Sequence, residues 1–201
     1  MQILFSIVTA LILSTPHWTT QNSGVTARLR GVSAVNEKVA WASGSGSTVL
    51  RTTDGGATWQ KIFVTSEALD FRDIDAIDEK TAYVLSIGTG PTSRIYKTTD
   101  AGGTWTLQFK NENPKAFFDA MSFWDTDHGI VFGDSIDGKF DIMVTENGGG
   151  VWTRLSNALP TALPNEGAFA ASGTNIALFG KTHAWIGTGA AATARVLRTD
   201  G

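Results

Sequence analysis

Short apolar runs rich in β-branched and aromatic residues alternate with Asn/Asp/Gly turns along most of the chain, and no stretch keeps helical spacing long enough to predict an amphipathic helix. The first set of runs is 29–35 (LRGVSAV), the turn 36–38 (NEK), 39–44 (VAWASG) and 48–51 (TVLR). The second is 71–77 (FRDIDAI), 78–80 (DEK), 81–88 (TAYVLSIG) and 94–97 (RIYK), and the third is 118–124 (FDAMSFW), 125–127 (DTD), 129–133 (GIVFG) and 140–144 (FDIMV). The fourth reads 167–172 (GAFAAS), 173–175 (GTN) and 176–179 (IALF), with further runs at 184–187 (AWIG) and 194–197 (ARVL).

Each set ends in one short motif: TTDGGATW at 52–59, TTDAGGTW at 98–105, TENGGGVW at 145–152 and the start of a fourth, RTDG, at 198–201. Asp54 and Asp100 are 46 positions apart, and Asp100 and Asn147 are 47 apart. Three strands before the motif and one beginning at its Trp make a four-stranded antiparallel unit. That period predicts an all-β fold, a β-propeller of radially arranged blades, because each blade can bury its faces only against its neighbours. The expected blades are 27–63, 69–110, 116–156 and 166–201, within a propeller region 16–201. His17-Trp18-Thr19-Thr20 resembles the run after each motif but lacks the motif itself, so 18–24 is a candidate closing strand for the incomplete last blade. The unfinished fourth motif points instead to a larger propeller of which these blades are a part.

The motif's residue types serve turn geometry. Asp54, Asp100 and Asn147 can accept backbone N–H groups of their own turns, Gly56, Gly102 and Gly149 can take positive φ, and Trp59, Trp105 and Trp152 can cover the turns with apolar area. Asn147 fits this reading, since an amide replaces a turn acceptor better than a catalytic acid. Asp200 opens the fourth copy in the same place.

The Thr-x-Asp-x-Gly-x-Thr-Trp pattern resembles the Asp-box, or bacterial neuraminidase repeat, of sialidases, xyloglucan-degrading glycosidases, sortilin-type receptors and photosystem II stability/assembly factor-like proteins. The phrases at 29–35, 93–100 (SRIYKTTD) and 169–175 (FAASGTN) are most similar to exported bacterial members of the last group, and the resemblance covers 18–201. It implies a propeller fold, while the turn itself serves hydrolases, receptors and assembly factors alike.

A formal charge of −3 without basic runs gives no footprint for nucleic acid, and the absence of Cys removes disulfide and thiolate chemistry. Residues 1–15 carry an 11-residue apolar run, 3–13, too short to span a bilayer and of the right length for a signal-peptide core, so export is expected, with no stable membrane span. His17, His128 and His183 stand singly, and neither a metal site nor a cofactor is predicted.

The candidate chemistry lies on the first strand of each blade. Arg30, Arg72 and Asp119 share one aligned position and are the predicted ligand-binding set. Sialidase chemistry, as that resemblance would imply it, needs an arginine cluster and a Tyr nucleophile. Tyr83 and Tyr96 sit where packing is expected, so that activity is not. A glycosidase would need two channel-facing carboxylates, for which Asp73, Asp119 and Glu166 are the candidates, Asp75 being a further inner-strand acid. The expected function is a non-catalytic scaffold binding a protein or other macromolecule through its channel face, the alternative being a glycoside hydrolase or lectin-like module.

Overall fold

The computed structural model describes residues 15, 17–156, 159–170 and 173–199; the apolar segment 3–13 and Asp200 lie outside them. Among the described residues no helix is long and apolar enough to cross a membrane.

The strands form four antiparallel meanders in chain order. The first sheet holds β1 (Leu29–Ala34), β2 (Ala40–Gly44), β3 (Thr48–Thr52) and β4 (Gln60–Ile62). The second holds β5 (Asp70–Ala76), β6 (Ala82–Ile87), β7 (Arg94–Thr98) and β8 (Thr106–Lys110), and the third β9 (Phe118–Phe123), β10 (Gly129–Ile136), β11 (Lys139–Thr145) and β12 (Thr153–Arg154). The fourth has three described strands, β13 (Ile176–Phe179), β14 (His183–Gly187) and β15 (Val196–Arg198).

Alternation of side chains explains how the sheets stack. On β6, Ala82 and Val84 join a core with Trp41 and Val49 of the first sheet, while Tyr83 and Leu85 join Phe118, Val131 and Met143 of the third. A strand buried on both faces reads as a continuous apolar run, and this one does. The first strands pack in succession, β1 on β5, β5 on β9 and β9 on β13, and so define the inner side of the array.

The repeated turns behave as their composition requires. Asp54 Oδ1 accepts the Thr58 N–H at 2.9 Å, and Thr52 Oγ1 accepts the Gly56 N–H at 2.8 Å. Asp100 and Thr98 do the same for Thr104 and Gly102 at 2.8 and 2.9 Å, and Asn147 and Thr145 for Val151 and Gly149, both at 2.8 Å. Gly56, Gly102 and Gly149 take φ of 87°, 89° and 85°, which a Cβ would strain.

The second and third turns also clasp the preceding sheet. Trp105 meets Trp41 edge to face with ring centroids 6.1 Å apart, and the Arg51 guanidinium lies 5.2 Å from the Trp41 ring. In the next seam Trp152 packs on Phe123, which stacks on Tyr83 at 3.8 Å, and Lys97 Nζ lies 5.1 Å from the Tyr83 ring.

Two expectations are corrected. The run 167–172 is not the first strand of the last sheet; β13 (Ile176–Phe179) is, and the runs after it each move one strand inward. The reason is burial: this shift puts Ile176, Ala184 and Ile186 into the core shared with Ile130 and Ile142 of the third sheet. Gly167 still bridges Gly189, so the chain between Gly167 and Ile176 leaves the strand line as a long excursion. Second, residues 18–24 form no strand, and β15 pairs only with β14 among the described residues. Gln21 lies on the first sheet's turn instead, donating from Nε2 to the Gly55 carbonyl at 2.8 Å and accepting from Trp59 Nε1 at 3.2 Å.

Candidate functional site

Arg30, Arg72 and Asp119 are not ordinary strand residues. Leu29 pairs with Gly44 and Gly31 with Ser43, leaving Arg30 as the extra residue of a β-bulge. Phe71 and Asp73 pair with the adjacent Ser86 and Leu85, so Arg72 is bulged, and Phe118 and Ala120 pair with Gly133 and Phe132, so Asp119 is. A bulge turns its unpaired residue out of the strand's alternation and bends the strand locally. Three consecutive blades therefore present a charged residue at one level for one geometric reason. In the fourth blade the excursion after Gly167 occupies that level.

The three bulges meet in a pocket of about 350 Å³, lined also by Asp134 and by Ala168, Phe169 and Ala170 of the excursion. Arg72 is half-buried; its Nε reaches Asp70 Oδ2 at 3.1 Å and its Nη1 donates to the Ala170 carbonyl at 2.7 Å, tying the excursion to the second blade. Arg30 is exposed, and no hydrogen bond or ion pair reaches it among the described residues. Phe169 is 70% exposed beside them.

Asp119 differs in kind. It is 1% exposed, its Oδ2 meets no donor among the described residues, and it lies against the Asp134 carboxylate rather than an arginine. Burial first, then the charge of Asp134, pushes its pKa up to about 8, and burial raises that of Asp134 as well. Of the two, Asp119 is the carboxyl that burial and its neighbour's charge most favour in the protonated form. A Cβ on Gly167 would overlap Asp134 Oδ1, so any other residue here would have to push that carboxyl aside.

Asp73 and Glu166 do not line this pocket. Asp73 is buried in the seam between the second and third blades, accepting the Ile74 and Met121 N–H groups at 2.9 and 2.8 Å, and burial first, with Asp75 nearby, pushes its pKa up to about 7. Asp75 accepts the Phe123 N–H at 2.8 Å, and Ser33 accepts the Ala76 N–H at 3.0 Å in the seam before it. These side chains stitch one inner strand to the next. Glu166 is 1% exposed and saturated: Arg195 Nε and Nη2, Thr188 Oγ1 and the Leu163 N–H all donate to it, and the Arg195 bonds lead in holding its pKa down to about 2.

Sequence reasoning missed Asp134 and Phe169 as pocket residues. Asp134 follows Gly133, the cross-strand partner of Phe118, so strand register carried that signal; the position of Phe169 depends on the excursion and had none. A larger apolar groove of about 550 Å³ separates the third and fourth blades, between Ile130, Ile142 and Leu155 on one side and Ala184, Ile186 and Leu197 on the other, and contains none of the predicted site residues. Among the described residues no group of His, Cys, Asp and Glu could hold a metal ion.

Radial four-stranded meanders with charged bulges on their inner strands define a β-propeller, and solved structures agree. The chain is similar to YCF48 bound to D1 peptide (15% identity, TM-score 0.55, covering 88% of this chain and 55% of that one). It is also similar to YCF48 from Cyanidioschyzon merolae (17%, TM-score 0.58, 86% and 51%) and to the GH74 xyloglucanase from Xanthomonas campestris (13%, TM-score 0.54, 74% and 24%). It thus spans about half the length of the YCF48 chains. No protein-family model matches the sequence, and no curated protein matches it.

Proposed function

We propose that this chain is a non-catalytic binding scaffold that takes an extended protein segment on the inner side of its blades, Arg30 and Arg72 receiving an acidic group and Phe169 an apolar side chain. The observation that carries the reading is Arg30, an exposed guanidinium without a partner among the described residues, in one pocket with Arg72 and an exposed aromatic ring. A guanidinium pair suits planar carboxylate recognition, and the bulges fix its direction. A similar propeller, YCF48, has been solved with a D1 peptide bound, which fits such a use of the fold.

The carboxylates argue against hydrolysis. Glu166 is locked by Arg195, Asp73 by backbone N–H groups, and Asp119 is buried beside the charge of Asp134. Glycosidases hold their two carboxyl groups about 5–5.5 or 6.5–9.5 Å apart so that sugar and water fit between them. Asp119 and Glu166 are each 1% exposed, so neither offers an open face to sugar and water.

Fluorescence anisotropy with a panel of extended peptides, acidic or neutralised at Asp/Glu and C-terminus, tests this. Acidic peptides should bind, weaken with salt, and lose at least several-fold affinity with Arg30→Ala or Arg72→Ala. Binding indifferent to both substitutions, or xyloglucan hydrolysis abolished by Asp119→Ala or Glu166→Ala, would overturn it. Export is part of the same proposal: a mature N-terminus beyond the 3–13 run, read by N-terminal sequencing after expression with the native start, supports it, and an intact Met1 counts against it.

A further inference from the structure

The pocket on the inner side of the blades keeps its charges apart. Arg30 of β1 and Arg72 of β5 line it together with Asp119 of β9 and Asp134 of β10. Opposite charges in one space of about 350 Å³ neutralise each other when they meet. Among the described residues these do not: Arg72 pairs with Asp70 at 3.1 Å, no ion pair reaches Arg30, and no cation lies close enough to hold either carboxyl down. The space therefore has a guanidinium pole and a carboxyl pole.

The carboxyl pole is short of a partner. Asp119 is 1% exposed and its Oδ2 meets no donor among the described residues, a state that costs a buried acceptor free energy. Asp134, half-buried on the neighbouring strand, is the more accessible of the two. Burial raises the pKa of both, and the charge of Asp134 adds to the rise at Asp119, as expected of carboxyls without a counter-charge. The other inner acids differ: Asp73 accepts two backbone N–H groups and Glu166 is paired with Arg195, so neither calls for a further donor. Two carboxyls suit an organic cation better than a metal ion, and among the described residues no larger group of His, Cys, Asp and Glu could hold one.

We infer that Asp134, with the deeper Asp119 beside it, receives a basic side chain of the bound segment, so that the ligand carries an acidic and a basic residue close together. This rests on the reading that the pocket takes an extended protein segment, and it adds the second half of the charge pattern that such a segment must carry. A lysine ammonium has three donors and a guanidinium five, and neither group accepts, so either can serve both carboxyls and supply the counter-charge they lack. Side chains two apart in an extended segment point the same way, about 7 Å from each other, so an acidic residue and a basic residue at that spacing enter the pocket together. The direction of the segment is fixed as well, because reversing it sets like charges against each other at both poles.

Fluorescence anisotropy with labelled, end-blocked peptides tests this. Each peptide carries one Asp and one Lys two residues apart in a Ser/Ala background, with a Phe at each flanking position in turn. Its matched peptide has norleucine in place of Lys, which keeps the aliphatic stem and removes the charge. The norleucine peptide should bind the wild-type protein at least about fivefold more weakly, and the two peptides should bind the near-isosteric Asp134→Asn alike. Because norleucine perturbs the ligand, the comparison on the wild-type protein stands whether or not the variant folds. Equal binding of the two peptides to the wild-type protein overturns the inference; if Arg30→Ala and loss of the peptide's Asp still weaken binding, the proposed function stands without it. If the peptide's Asp is dispensable too, both fall. A lysine preference that persists in folded Asp134→Asn also overturns the inference, since the basic group would then sit elsewhere.

Discussion

Replacing Asp119 by Asn should stabilise the protein, and increasingly so as pH rises. Asp119 has a folded pKa of about 8 against 3.8 in the unfolded chain. A carboxyl whose pKa is raised by folding keeps its proton in the native state and gives it up on unfolding. Between these two values the unfolded state binds fewer protons, so stability falls as pH climbs from about 4 to about 8 and levels off above that. Each unit of difference is worth about 1.4 kcal/mol, so the shift sets an upper bound of ~6 kcal/mol, and sharing the proton with Asp134 brings a realistic value to roughly half of that. The amide introduced by Asp119→Asn has no proton to lose and is nearly the same size as the carboxyl it replaces. The variant should gain about 1 kcal/mol at pH 5 and about 3 kcal/mol at pH 8, measured by urea unfolding at both values. A gain that does not grow with pH, or a loss at pH 8, would refute the protonated pair.

The repeat-turn tryptophans should separate by seam. Trp105→Ala empties the contact with the fully buried Trp41 and should cost ~3 kcal/mol or more, whereas Trp59→Ala, at a half-exposed ring held by Gln21, should cost clearly less in the same thermal scan. Arg195→Ala should destabilise by stranding buried Glu166. Because the Glu166 pKa is depressed from 4.5 to about 2, the gap between variant and wild type should be full above about pH 4.5 and close as pH falls toward 2 in an acid-unfolding titration.

Much of this site could be read without coordinates. The repeat placed Arg30, Arg72 and Asp119 at one level, because blades of equal period put equal positions at equal radius. Their common cause, a bulge, could not be read, since register is a property of two strands. The candidate carboxylates divided for a similar reason. Asp73 accepts the Met121 N–H from a strand 48 residues onward and Glu166 pairs with an arginine 29 residues away, and nothing local in the chain announces either bond. The last blade was misregistered because Gly, Ala and Ser in 167–172 give too little apolar contrast to distinguish a strand from an excursion.

The sequence by itself determined the unit: strand, turn, strand, turn, strand, then a Thr-Asp-Gly-Trp hairpin whose hydrogen bonds lie within eight residues of one another. Such local chemistry is encoded where it acts. Only the tertiary structure decided what neighbouring units do to each other: which carboxyl is buried beside another, which is held by an arginine, and which strand's N–H groups a buried aspartate accepts. Those outcomes depend on burial and on partners supplied by a different repeat, and a repeat does not carry its neighbour's residues within itself.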